Sequence, residues 1–197
     1  FWLSKDNAAG NLKIFVAGPY HAGKTTLVHL LDEKAQSVEK TLPDGTTSTI
    51  AFDLGHVWWD WGENIYTDEE VKTNPCNVLR VVLMGSPGQI HFSPVREVTS
   101  MGARGVLFII DSTAPGQIGH AIAIFEEVRS YLGKEVPMVV IANKQDVSNA
   151  MKADSLKNLM KVDSVSFFDG SALTGQGIKQ ALIQLLKIIK TRGFIDS

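Results

Sequence analysis

The chain has a single cysteine, Cys76, so it can form no internal disulfide, and a reducing, cytoplasmic setting is the expectation. It has no apolar run of the ~18–20 residues that cross a bilayer, so no integral membrane segment is expected. Residues 1–10, FWLSKDNAAG, lack the pattern of a signal peptide. There is no block of like charge: 19 Lys and Arg face 21 Asp and Glu, which argues against nucleic acid as a partner. Repeats, low-complexity tracts and linker-like stretches are also absent. The 197 residues are therefore expected to form one domain over 1–197, with residues 1–11 as a flexible amino-terminal extension.

What the chain does have is alternation. β-favouring apolar runs stand at 12–18, 50–59, 77–85, 105–111, 137–143 and 164–169. Segments with helical spacing lie at 24–35, 117–133, 154–162 and 177–193. Four of the strands are near-continuous apolar runs, as in a parallel sheet covered on both faces. The pattern predicts an α/β fold: a doubly wound, mostly parallel six-stranded sheet with helices on both faces. No helical segment separates the second and third strands, so one antiparallel edge strand is expected.

GPYHAGKTT, Gly18 to Thr26, fits G-x-x-x-x-G-K-[ST] at every fixed position, between a strand and a helix. Gly18 and Gly23 let the backbone turn tightly and approach a phosphate. Successive N–H groups through His21, Ala22, Gly23 and on to Thr26 can then meet an anion. Lys24 is placed to neutralise β- and γ-phosphates, and the Thr25 hydroxyl to ligate magnesium. NKQD, Asn143 to Asp146, follows the fifth strand. Its carboxylate, Asp146, can accept two hydrogen bonds from the N1–H and amine of guanine, a pair of donors that adenine lacks. The stem of Lys144 can lie along a base. SAL, Ser171, Ala172 and Leu173, follows the last strand, where a backbone N–H can meet the guanine O6. Each piece alone is weak; in order, on successive strand ends, they point to GTP and GDP.

GPYHAGKTT, SPGQ, NKQD and SAL in that order resemble the Ras-like small GTPases, over nearly the whole chain. The third motif is most similar to that of the prokaryotic branch, the gliding-motility GTPases and those that occur with roadblock-type proteins. Members of that branch also carry a residue other than aspartate before PGQ, as this chain carries Gly85. The resemblance implies a G domain that binds GTP or GDP with Mg2+ and hydrolyses GTP slowly unless a partner stimulates it. It implies that Gln89 orients the attacking water, that Gly88 senses the γ-phosphate, and that Thr49 is the switch residue that ligates magnesium. An effector or GTPase-activating partner, roadblock-type among the candidates, is implied as well. The alternative is a guanine-nucleotide-binding interaction module with little or no hydrolysis, which Gly85 and the bulky Tyr20 favour.

Four further positions carry expectations. Asp53 could replace the missing aspartate, although an exposed strand carboxylate is the simpler reading. Gly85→Asp is expected to tighten magnesium binding. Arg96 is read as solvent-facing or partner-facing. Of the tryptophans in VWWDWGENIY, 57–66, at least one is expected to pack and another to meet a partner.

Overall fold

The computed structural model describes residues 11–38, 52–73, 77–88 and 93–195. In chain order the elements are β1 (Leu12–Ala17), α1 (Lys24–Leu31), β2 (Gln36–Val38), β3 (Phe52–Trp59), β4 (Ile65–Tyr66), α2 (Asp68–Thr73) and β5 (Leu79–Gly85). Then follow α3 (Ser93–Ser100), β6 (Gly105–Asp111), α4 (Ile118–Leu132), β7 (Met138–Asn143), α5 (Ala153–Met160), β8 (Ser166–Asp169) and α6 (Ile178–Thr191). The sheet order is β2-β3-β5-β1-β6-β7-β8, with β4 paired to β3 beside this path. β5, β1, β6, β7 and β8 run parallel, and β3 is antiparallel to β2, β4 and β5.

Side-chain alternation sorts the central strands into two cores. Leu12, Ile14 and Val16 of β1 join Leu107, Ile109, Val139 and Ile141 under α1 and α6. Phe15 and Ala17 join Val106, Phe108, Ile110 and Val140 under α4 and α5. The helices answer with their own period. α4 buries Ala121, Ile124, Phe125 and Val128, and α6 buries Ile178, Ala181, Leu182, Leu185, Leu186 and Ile189. Both sets follow the i, i+3, i+4, i+7 stripe of a helix with one face in a core.

The expected doubly wound architecture stands, with more pieces than the sequence pattern gave reason to draw. Among the described residues the sheet has eight strands, because β2 and β4 add three and two residues, too few to show a period of two. β3 is consequently not at the edge. α3 was unforeseen because the residues it buries are Arg96 and Ser100, and α2 because it buries none.

The three tryptophans of the 57–66 segment have partners within the molecule. Trp59 is fully buried and donates its indole N–H to the Gly62 carbonyl at 3.0 Å. Trp58 donates to Asp68 Oδ1 at 2.6 Å and so ties α2 to β3; this bond and one from His56 hold the Asp68 carboxyl below its ordinary range. Trp61 packs on Trp59 at 5.5 Å, and the Lys190 ammonium lies 5.6 Å from its ring centre. With the Lys187–Glu63 ion pair, this fastens the turn after β3 onto α6.

Candidate functional site

The phosphate loop joins β1 to α1, and its glycines are required by space as well as by dihedral angle. Gly18 has φ 146°, and a Cβ there would lie 2.0 Å from the Ile109 carbonyl oxygen. Gly23 has φ 103°, and a Cβ would lie 2.4 Å from Asn143 Nδ2. Gly23 is also the N-cap of α1 and supplies no side-chain bond, so no cap side chain takes the first N–H groups of that helix. Lys24 is 8% exposed and donates to the carbonyls of Gly18 at 3.0 Å and Pro19 at 2.6 Å. Burial lowers its pKa to about 8; Asp53 pulls it back up and Arg96 pushes it further down. Ala22 is buried, whereas His21 and Thr26 are exposed. Tyr20 is half exposed, its ring 3.8 Å from that of His21.

The Ser86–Gly88 segment closes down on this loop. Ser86 N donates to the Val16 carbonyl at 3.1 Å. A Cβ on Gly88 would lie 2.5 Å from Lys24 Nζ and from Tyr20 N, so only glycine fits. Gln89 and Thr49 lie outside the described residues.

Asp53 overturns the simpler reading made from sequence. It is 3% exposed, and its carboxylate accepts from Thr25 Oγ1 at 2.7 Å and from Ser37 Oγ at 2.6 Å. It stands beside Gly85, where a Cβ would come within 3.0 Å of Asp53 Oδ2 and 3.1 Å of Asp53 Cβ. The volume that an aspartate at 85 would need is filled by an aspartate from the next strand. The signal was present: Asp53 is in phase with Gly55, Val57 and Trp59, and the two large apolar residues fix that parity as inward. The same geometry reverses the expectation for Gly85→Asp, which would press two carboxylates together.

Arg96 is corrected too. It is fully buried, and its Nη2 donates to both carboxylate oxygens of Glu127, at 2.9 and 2.7 Å, joining α3 to α4. Its Nη1 lies 3.4 Å from the Pro87 carbonyl oxygen. Tyr131 donates to the same Glu127 at 2.5 Å and meets Ser93 Oγ at 2.5 Å. Burial pushes the Glu127 carboxyl up, but these bonds outweigh it and hold the group below its ordinary range.

At the other end of the site Asn143 links three loops. Its Nδ2 donates to the Ala22 carbonyl at 2.7 Å, and its Oδ1 accepts from the Ala172 N–H at 2.8 Å. Asp146 Oδ1 accepts from Ser171 Oγ at 2.5 Å, and Leu173 is 75% exposed beside it in sequence. Lys144 has φ 69°, and its ammonium pairs with Asp111 Oδ2 at 2.5 Å. Thr113 N and Oγ1 also donate to Asp111, at its Oδ1, at 2.9 and 2.6 Å, so this carboxylate caps the turn after β6 as well as holding the lysine. Phosphate-loop and base-motif residues thus meet along the carboxyl ends of β1, β5, β7 and β8, as open α/β sheets place their ligands.

Fold and site together define a small GTP-binding-protein domain. The chain belongs to the Ras family, whose family model matches residues 13–191. It is 25% identical to the mutual gliding-motility protein MglA of Myxococcus xanthus, over 92% of this chain and 91% of that protein. It is 25% identical to ADP-ribosylation factor-like protein 6 of Caenorhabditis elegans, over 89% of this chain and 85% of that protein. The GTP-binding protein YPT53 of Saccharomyces cerevisiae is 28% identical over 55% of this chain, and the match spans about half, 53%, of that relative. Among the described residues no helix is long and apolar enough to cross a membrane.

Proposed function

We propose that the chain is a guanine-nucleotide switch that binds GTP, hydrolyses it slowly to GDP and phosphate, and changes its partner surface between the two states. The contact between Thr25 and Asp53 carries this reading. A hydroxyl and a carboxylate 2.7 Å apart beside the phosphate loop are two hard oxygen donors. They would hold a magnesium ion, which supplies positive charge at phosphate oxygens. Among the described residues no three His, Cys, Asp or Glu side chains converge on one point. That suits an ion which keeps waters and takes phosphate oxygens in place of a full protein cage.

The chain's own residues have distinct tasks. Lys24 binds the phosphates from within the loop, and Gly88 stands against it, so the Ser86–Gly88 segment is placed to register a γ-phosphate. Gln89 orients the attacking water, and Thr49 completes the magnesium sphere while the γ-phosphate is bound. Asp146 selects guanine, and Ser171 holds its carboxylate. An effector or activating protein, for which a roadblock-type protein is the first candidate to try, reads the switch. The half-exposed Tyr20 at the loop favours a second reading, a binding module that barely hydrolyses.

Single-turnover hydrolysis of wild type and Gln89→Ala, with and without the candidate partner, separates the two. On the switch reading, GTP affinity stays the same and the stimulated rate falls roughly tenfold, the mark of an interaction made in the transition state. Equal rates under both conditions would make the binding module the better account.

A further inference from the structure

We propose that Asp111 is a positioning residue for the nucleotide: it orders the Lys144 side chain before the ligand arrives. The inference rests on the guanine-nucleotide reading. Asp111 and Asn143 are partners on the last rung between β6 and β7, so Lys144 emerges directly beyond that rung. The backbone at Lys144 is left-handed, φ 69°, a conformation lysine seldom adopts. Its side chain turns to Asp111, whose own side chain is 9% exposed.

Both carboxylate oxygens of Asp111 are committed. Oδ1 takes two donors from Thr113, and Oδ2 takes the Lys144 ammonium. Burial pushes this carboxyl up, but the bonds from Lys144 and Thr113 prevail and hold it below the ordinary range. The carboxylate is therefore charged, and the two donors from Thr113 aim it without the lysine. An exposed ion pair between two free chains fixes little, because each must be ordered to make it. Here one partner is rigid, and the pair orders the other.

A lysine stem has several rotamers, and a site that uses the stem must freeze it. In this chain the freezing occurs at folding, so the nucleotide does not bear that cost on binding. The benefit shows in how long the nucleotide stays more than in how fast it arrives.

The test is a double-mutant cycle on GDP affinity, by calorimetry, with wild type, Asp111→Asn, Lys144→Met and the double variant. Asp111→Asn should weaken GDP roughly fivefold, the scale for one immobilised long side chain. In the Lys144→Met background the same change should alter affinity by less than about twofold. An equal loss in both backgrounds means that Asp111 merely supports the turn, and overturns the proposal. Unchanged or tighter GDP binding by Asp111→Asn overturns it as well. Should Asp111→Asn fail to fold, Thr113→Val removes one donor to Oδ1 and should give a smaller loss that again needs Lys144; a loss independent of Lys144 counts against the idea. Failure of wild type to bind GDP at all would instead refute the guanine-nucleotide reading.

Discussion

At the base end of the site, the residues that sequence motifs place together are the ones that touch. Asn143 reaches Ala22 and Ala172, and Asp146 is held by Ser171, all from loops that follow their own strands. At the end proposed for the metal, the partner of Thr25 comes from β3, and β5 places only Gly85 beside it. The first end is organised along the chain and the second across a sheet. A motif is a record of spacing along the chain, so it describes the first end well and is silent about the second.

The comparison can be strained at either end. Lys24→Met, on the phosphate loop between them, should have the largest effect, a loss of nucleotide affinity on the order of a thousandfold, since the phosphates lose their buried cation. The same variant carries a pH signature without nucleotide. The folded pKa is about 8, below the ordinary 10.5, so between these values the unfolded chain binds more protons and wild-type stability rises with pH. Melting temperatures of wild type should therefore gain on those of Lys24→Met from pH 8 upward. A difference that is flat from pH 7 to 10 contradicts the buried ammonium.

Asp146→Ala should come next and should act on the base alone. Guanine preference should fall by roughly a hundredfold, because a paired acceptor is lost. GDP affinity within about threefold of wild type would remove the basis for the base end as described.

The metal end should give the smallest and most diagnostic change. Asp53→Asn should raise the magnesium concentration for half-maximal hydrolysis by roughly tenfold. Gly85→Asp should not lower it; a side chain whose Cβ would lie 3.0 Å from Asp53 Oδ2 should instead destabilise the fold by ~1–3 kcal/mol, read by denaturant midpoint. Joining Asp53→Gly to Gly85→Asp should restore both stability and magnesium response. If Gly85→Asp alone tightens magnesium and leaves stability intact, the two positions do not share one space.

How much was legible follows from the same physics. The parallel core strands were plain because β6 and β7 are buried throughout and β1 at all positions but Lys13, so they read as near-continuous apolar runs. β2 and β4 were not, because two or three residues carry no period. Lys24, Asn143 and Asp146 were named because a phosphate and a base demand those groups at strand ends. Asp53 was misread because a lone carboxylate in a strand is judged exposed unless its parity is traced from Trp59. Arg96 was misread because an arginine on a short helix looks solvent-bound until Glu127, 31 positions away, is known to face it.

That arginine has a further consequence. Its guanidinium lies against the carbonyl of Pro87, nine positions back along the chain and next to Gly88. The entropy of closing a loop is met once, when the protein folds, and not again with each nucleotide. In polymer terms Arg96 is a cross-link, held to α4 through Glu127. A displacement of Pro87 that keeps this contact must be transmitted to α4.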